Sequence, residues 1–358
     1  MTAERPFTLV AEVTHRCPLG CPYCSNPTEL VTRARELSPA VWREALDDAA
    51  DLGVVQVHFT GGEPLLYDGL EGLVAHAEAR ELYTHLVTSG LPRGKDRLPE
   101  LAKAGLTAVQ LSLQGADAAS ADAIADTRAH DEKLAFAAAV RALDLPLTVN
   151  VVLHAENIGT VPELVRLAKD LGASRLELAS AQYLGFALEN RARLLPTRER
   201  IDEARAHAMA AKKAHHGTME VLYVLPDYVR GKPRACMDGW ARRFVHIAPD
   251  GTVLPCHAAS TLPGMGFESI AGARLRDLWE TNPGLLRFRG TEWMKEPCRS
   301  CDERQRDFGG CRCQAFALTG DAAATDPACA LSPDHEVVRG AVREPTRRYL
   351  FRGRKAAP

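Results

Sequence analysis

No sign of charge dominates this chain, no apolar run reaches membrane-spanning length, and no export signal heads it. Its 358 residues carry a formal net charge of −2. No long basic stripe runs through the first 335 residues, which argues against nucleic acid as the main partner. The opening Met1–Val10 lacks a basic segment followed by an apolar one, so no secretory signal peptide is expected. The longest apolar runs are strand-sized, so no transmembrane helix is expected. Together these absences predict a cytoplasmic protein with no membrane partner. The hydrophobic content of 46% is ordinary for a globular protein, enough to bury a core in one large domain or two smaller ones.

Cysteine is the residue the chain does have. Ten are present: Cys17, Cys21 and Cys24, then, after a long cysteine-free stretch, Cys236, Cys256, Cys298, Cys301, Cys311, Cys313 and Cys329. In a reducing compartment, clustered cysteines bind metal more often than they form disulfides.

Up to about residue 215, strand-like and helix-like segments alternate. Strands are expected at Phe7–Val13, Val54–Phe59, Tyr83–Thr88, Ala108–Leu113, Leu147–Leu153 and Arg175–Leu178. Helices are expected at Pro39–Leu52, with Ser38 as N-cap and Gly53 as stop, and at Leu70–Ala79, Leu98–Ala104, Lys133–Leu143, Val161–Leu171 and Arg198–Ala214. Six such repeats predict an α/β fold: a parallel sheet with right-handed crossovers, curled into a partial (β/α)6 barrel that works at the C-terminal ends of its strands. The pattern then changes to a strand at Glu220–Val224, a hairpin around Pro249-Asp250-Gly251 and cysteine-rich loops. Residues 216–335 read as a second, metal-stapled, loop-rich domain. The tail, 336–358, holds Arg339, Arg343, Arg347, Arg348, Arg352, Arg354 and Lys355 against Glu336 and Glu344. It reads as a solvated, partly disordered end; the alternative is docking to an acidic partner.

Cys17-Pro-Leu-Gly-Cys21-Pro-Tyr-Cys24 directly follows the first strand. Three thiolates from one loop can hold three corners of a cubane cluster and leave the fourth iron without a protein ligand, the mark of a catalytic centre. A zinc site would need two further ligands, and His15 is the only close histidine. A disulfide would leave an odd cysteine. One β/α unit later, Gln56-Val-His-Phe-Thr60 runs into Gly61-Gly62-Glu63-Pro64. Paired glycines allow close backbone approach to a ligand, and Glu63 can accept from an ammonium group.

This arrangement resembles the radical S-adenosylmethionine (SAM) superfamily, in which an aromatic residue such as Tyr23 precedes the third cysteine. The resemblance implies that Cys17, Cys21 and Cys24 bind a [4Fe–4S] cluster whose open iron chelates SAM, and that Gly61, Gly62, Glu63 and Pro64 meet its amino group. Softer SAM contacts are implied for Ser89, Ser112, Gln114, Arg128 and Asn150; ordinary strand-end polar groups or a surface arginine are the alternative at each. Asn150-Val-Val-Leu-His154 departs from the superfamily's glycine-rich fifth strand.

The later cysteines, Cys236 and Cys256 around Gly251, then Cys298-x2-Cys301-x5-Asp307-x3-Cys311-x-Cys313 and Cys329, resemble the SPASM extension, which carries two auxiliary iron–sulfur clusters ([4Fe–4S] and/or [2Fe–2S]). By position, the first would use Cys236, Cys256, Cys311 and Cys313, and the second Cys298, Cys301, Cys329 and Asp307. Asp307 stands where the family has cysteine. A carboxylate is a harder ligand than thiolate and would alter the cluster's potential; otherwise Asp307 is a solvated loop residue. A zinc ribbon on Cys298, Cys301, Cys311 and Cys313 is the competing metal reading.

Several stretches resemble the peptide cyclases of pyrroloquinoline quinone (PQQ) biosynthesis: Thr14–Pro27, Gln56–Pro64, Cys236–Trp240, Leu254–His257, Glu296–Cys301 and Gly309–Cys313. That resemblance implies a precursor peptide, PqqA, a small peptide chaperone, PqqD, an external electron donor, and a carbon–carbon cross-link between a Glu and a Tyr side chain. His58, His85, His154, Gln182 and Tyr183 are candidates to meet the substrate Glu, or else are ordinary core and strand-end residues. The competing functions are sulfatase-maturase-like oxidation of a peptidyl Ser or Cys, and a non-catalytic zinc or iron–sulfur protein.

Overall fold

The structure is a computed structural model and describes residues 5–340, with the side chains of 339 and 340 excepted, and 349–353. The tail residues Arg343, Glu344, Arg347, Arg348, Arg354 and Lys355, and the side chain of Arg339, lie outside the described part.

Six β/α repeats form the expected open barrel. Its strands are β1 (Thr8–Thr14), β2 (Gln56–Gly61), β3 (Tyr83–Thr88), β4 (Ala108–Leu113), β5 (Leu147–Leu153) and β6 (Arg175–Ser180), all parallel to their neighbours. Helix α1 (Pro39–Leu52) starts where Ser38 caps it and stops at Gly53, whose φ of 96° is left-handed; a glycine there ends a helix without strain. The helices α2 (Leu70–Ala79), α3 (Gly94–Lys103), α4 (Ala118–Ala125), α5 (His130–Ala142) and α6 (Val161–Asp170) cover the outer face. Along β5 the burial alternates with period two: Val149, Val151 and Leu153 are buried against the helices, while Asn150 stays more open. One face of each strand therefore builds the core and the other is left for chemistry.

The sheet runs further than six strands. Glu220–Val224 (β7) adds in parallel beside β6, and Phe244–Ile247 (β8) adds in parallel beside β1, with the short β9 (Val253–Leu254) antiparallel to it. Segments read from sequence as belonging to the cysteine-rich region thus flank both edges of the barrel sheet, and the loop bearing Cys17 starts next to the hairpin that leads to Cys256. Around Cys311 and Cys313 few strands exist to pair backbone. The fully buried Arg312 takes that role, donating to Ala322 O at 3.0 Å, to Ala324 O at 2.7 Å and to Gly309 O, and its guanidinium lies over Trp293.

Asp48 of α1 reaches across to the cysteine-rich part. Its buried carboxylate accepts from Leu275 N at 2.9 Å and from the Arg274 guanidinium, capping the helix Leu275–Thr281. Arg274 is largely exposed, so its ion pair adds little. The cap itself predicts that Asp48→Ala loses about 1–2 kcal/mol and that Asp48→Asn recovers most of it, read as shifts of the chemical denaturation midpoint.

Candidate active site

The Cys17–Cys24 loop leaves β1 and is tied to the framework on every side. Gly20 N donates to Ala125 O at 2.8 Å. Asn190 Nδ2 donates to Pro22 O at 2.8 Å, Ala187 N to Cys24 O at 3.0 Å, and Asn26 Nδ2 to Glu12 Oε1 at 2.5 Å. Glu12 is buried among histidines. Burial pushes its carboxyl up, but hydrogen bonds to His15 and His246 overcome this and hold it well below the ordinary carboxylate range.

The GGEP turn meets this loop backbone to backbone. Gly62 N donates to Thr14 O at 2.6 Å, and Glu63 N to Arg16 O at 2.7 Å. A Cβ on Gly61 would stand 2.2 Å from Thr14 O, and one on Gly62 2.3 Å from Arg16 O. The glycines let β2 close onto the segment that launches Cys17. Glu63 is fully buried and accepts four hydrogen bonds: from Thr88 Oγ1 (2.6 Å) and Leu65 N (3.0 Å) on Oε1, and from Ser89 N (2.7 Å) and Ser89 Oγ (2.5 Å) on Oε2. Ser89 thus joins the site through Glu63. An ammonium group would reach this carboxylate by turning a hydroxyl, from Ser89 or Thr88, out of the way. Pro64 is buried beside it and opens a short 3-10 turn.

A second chain of contacts leads away from the loop. Tyr23 Oη, beside the Cys21 thiol, accepts from Gln114 Nε2 at 2.9 Å, and Gln114 Oε1 accepts from Lys133 Nζ at 2.7 Å. Lys133 Nζ also donates to Ser112 O at 2.9 Å. Lys133 is 1% exposed, and among the described residues no carboxylate lies within ion-pair distance of it. Burial lowers its pKa. The sequence reading missed it, although a signal existed: Lys133 lies in the apolar stripe His130, Phe136, Ala137, Val140 of α5. Arg128 is exposed between α4 and α5, beside Thr127, whose Oγ1 donates to Pro18 O of the cysteine loop at 3.2 Å. Asn150 Nδ2 donates to Glu177 Oε2 at 3.3 Å on the next strand.

Burial pushes the Cys17 thiol up to about 12 and raises those of Cys21 and Cys24. Lys133 and Arg352 act against this rise at Cys21, and Arg352 at the other two. Three cysteines, Cys21 buried and Cys17 and Cys24 partly so, with two buried cations and no carboxylate pairing for Lys133, fit a bound anionic group, as a cluster on three thiolates would be. No three His, Cys, Asp or Glu side chains among the described residues converge tightly enough to close on a single ion.

The later cysteines fall into two sets in space. Cys236, Cys256, Cys311 and Cys313 contact one another. Hydrogen bonds to Cys256 hold Cys236 and Cys313 high, and accepting from both holds Cys256 low. The contact with Cys236 pushes Cys311 up to about 11. Elsewhere, burial raises Cys298 and Cys329, and each also feels Asp307 and Cys301. Asp307 is half-buried with its pKa raised by burial, and its Oδ1 accepts from Gly309 N at 2.9 Å. A cavity of ≈ 350 Å³ opens between the ends of β6 and β7 and the first set; Gln182, Tyr183, Tyr228, Cys236, Cys256 and Cys311 are among its lining residues. Of the candidates for a substrate carboxylate, Gln182 and Tyr183 line this cavity. His58 and His85 stack edge to face at 4.8 Å, and His154 is buried 5.3 Å from the Tyr23 ring.

Comparison with known proteins accounts for this layout. Residues 11–168 match the radical SAM superfamily, and residues 236–302 match an iron–sulfur cluster-binding domain, SPASM. The PqqA peptide cyclase of Bradyrhizobium diazoefficiens is 50% identical over 353 residues, 97% of this chain and 93% of that protein. The chain belongs to the PqqA peptide cyclase family. It is a radical SAM enzyme. The family's cyclase from Methylocella silvestris is 49% identical over 359 residues, covering 98% of this chain and 96% of that one. Among solved structures, Streptococcus suis SuiB bound to S-adenosylmethionine shares the fold with a TM-score of 0.76 at 19% identity, over 92% of this chain and 78% of that one. SuiB has also been solved bound to its precursor peptide SuiA, with a TM-score of 0.74 at 20% identity, over 92% and 76% of the two chains. The radical SAM and SPASM matches imply SAM and iron–sulfur clusters for this member of the family. No helix among the described residues is long and apolar enough to cross a membrane.

Proposed function

We propose that this chain joins a Glu and a Tyr side chain of the precursor peptide PqqA by a carbon–carbon bond, an early step of PQQ biosynthesis. The observation that carries this reading is the cavity between the barrel mouth and the Cys236 set. It offers a peptide one space bounded by strand ends on one side and by candidate electron-acceptor ligands on the other. Family membership supplies the substrate.

In this reading Cys17, Cys21 and Cys24 hold the SAM-binding [4Fe–4S] cluster. Cys236, Cys256, Cys311 and Cys313 hold one auxiliary cluster, and Cys298, Cys301, Cys329 and Asp307 the other, each [4Fe–4S] or [2Fe–2S]. Bound there, the clusters and SAM supply the radical that takes hydrogen from the Glu side chain and an acceptor for the electron the Tyr ring gives up. The protein's own residues hold the parts. Glu63, Ser89 and the GGEP backbone shape the wall beside the Cys17 loop; Tyr23, Gln114 and Lys133 form the opposite one; Gln182 and Tyr183 face the peptide. The buried β-strand ends keep water from the reacting carbons. Asp307, already half-buried beside Cys298 and Cys329, serves as an oxygen ligand. The division of labour places the barrel in residues 1–215 and the cluster-binding domain in 216–335, with the two joined through β7 and β8. PqqD presents the peptide, an external donor supplies electrons, and the protein works in the cytoplasm.

The test is anaerobic turnover of cluster-loaded protein with SAM, a strong reductant and a PqqA peptide, alone and with PqqD. The expected product is a peptide lighter by two hydrogens, with the mass change confined to the fragment holding the Glu and the Tyr. An unchanged peptide, despite 5′-deoxyadenosine formation, would assign the chain to another substrate. Oxidation of a Ser or Cys in a sulfatase-type peptide would instead point to maturase-like chemistry.

A further inference from the structure

The tail was expected to be a solvated end, yet Tyr349–Gly353 packs against the Cys17–Cys24 loop. Leu350 is gripped at both backbone groups by Asn190, whose Nδ2 donates to Leu350 O at 2.8 Å and whose Oδ1 accepts from Leu350 N at 2.8 Å. The same Asn190 Nδ2 reaches Pro22 O at 2.8 Å, so one amide clamps tail and loop together. Tyr349 donates to Glu156 and lies under the Arg193 guanidinium at 3.9 Å. These contacts deliver Arg352 to the loop. Its backbone N donates to Gly20 O at 3.1 Å and its Nη2 to His15 O at 2.5 Å. Arg352 therefore spans the stretch that contains Cys17, touching it on either side.

Arg352 is 6% exposed, and no carboxylate lies within ion-pair distance of it among the described residues. Its buried Nε has no hydrogen-bond partner. A buried guanidinium without a countercharge is costly, and a tail needed only for packing would do as well with an apolar residue. Its two anchor points, His15 O and Gly20 O, lie two residues before Cys17 and one before Cys21, so the guanidinium is held against the loop that carries the three cysteines. A fixed cation and a spare N–H donor thus sit beside the cysteine loop.

We propose that Arg352 is a positioning residue of the N-terminal centre: its guanidinium is a permanent countercharge to the cluster on Cys17, Cys21 and Cys24, and its Nε–H donates to the cluster's sulfur. This rests on the assignment of those cysteines as ligands. Net charge and hydrogen bonds to sulfur set iron–sulfur potentials. Reduction adds one negative charge to a buried, already anionic group, so a nearby cation favours the reduced form. Losing that cation makes the cluster harder to reduce.

The experiment is a redox titration of the reconstituted full-length protein, followed by electron paramagnetic resonance of the signal that shifts on adding SAM. Iron and sulfide are quantified alongside. In Arg352→Met the reduced-to-oxidised ratio at a fixed applied potential is expected to fall about tenfold, equivalent to about 59 mV for one electron. Arg352→Lys, which keeps the charge, is expected to stay within about threefold of the parent. A Met variant that loads fully and titrates like the parent overturns the proposal. Should the Met variant fail to take up iron, the Lys variant decides: parent-like titration supports the countercharge, and a tenfold loss despite the retained charge overturns it in favour of packing. If the ligand assignment itself were wrong, the parent would show no SAM-responsive signal, an outcome distinct from a signal that Arg352 does not move.

Discussion

Cys24→Ala is expected to bring SAM cleavage to background while the fold and the iron bound by the later cysteines remain. The loop around Cys24 is held by its backbone and its neighbours. Cys24 N donates to Cys21 O at 3.3 Å, Cys24 O accepts from Ala187 N at 3.0 Å, and Asn26 and Asn190 fix the two flanks. The thiol's own polar contact is a weak one, to Asn26 Oδ1 at 3.3 Å. Alanine therefore removes a ligand and leaves its frame, with a stability change of about 1 kcal/mol or less in the metal-free protein. Changes one shell out from a metal commonly cost 10–100-fold, so loss of a ligand should cost more than about 100-fold. Chromatography of 5′-deoxyadenosine, with iron content and the unfolding midpoint measured on the same sample, checks this. Persistent deoxyadenosine formation in the variant would return the Cys17–Cys24 loop to a structural role.

Glu63→Gln is expected to destabilise the protein and weaken SAM binding together, although it changes only one atom. Each oxygen of Glu63 receives a backbone N–H: Oε1 that of Leu65 and Oε2 that of Ser89. A glutamine amide has a single acceptor oxygen. Whichever way it turns, its NH2 faces a backbone donor that cannot rotate away. Thr88 and Ser89 can swing their hydroxyls to compensate on the amide side, but Leu65 or Ser89 is left with a buried, unsatisfied N–H. That costs about 2–3 kcal/mol and pushes the GGEP turn off the Thr14–Arg16 segment. Urea denaturation of the metal-free protein and SAM titration of the loaded one read the two effects. A variant with parent stability would mean that the turn relaxes freely, which the 2.2 and 2.3 Å approaches at Gly61 and Gly62 argue against.

Much of this was legible in local patterns. The alternation of strands and helices, the Ser38 cap, the Gly53 stop and the strands at Tyr83–Thr88, Ala108–Leu113 and Leu147–Leu153 match the structure residue for residue. α4 was missed because Ala118–Ala125 shows little apolar contrast between its faces. The pairing of β7 and β8 with the barrel could not be read, because a short strand's pattern says which face is buried and not which neighbour it joins. Lys133 was hidden by the general rule that lysine is solvated, and Glu12 by its place in an apolar strand. Arg352 looked like one more charge in a basic tail.

The sequence by itself determined the chemistry: ten cysteines at those spacings, a GGEP turn one repeat after the first three, and a chain of β/α units that makes strand ends converge. These follow from residue type and short-range periodicity, which are written in the linear order. The tertiary structure decided the electrostatics of the centre. It sorted the seven later cysteines into two sets, saturated Glu63 with donors, sealed Lys133 away from water, and brought Arg352 back to a loop 335 positions earlier in the chain. A buried charge depends on what surrounds it in space, and those surroundings come from segments that share no neighbourhood in sequence.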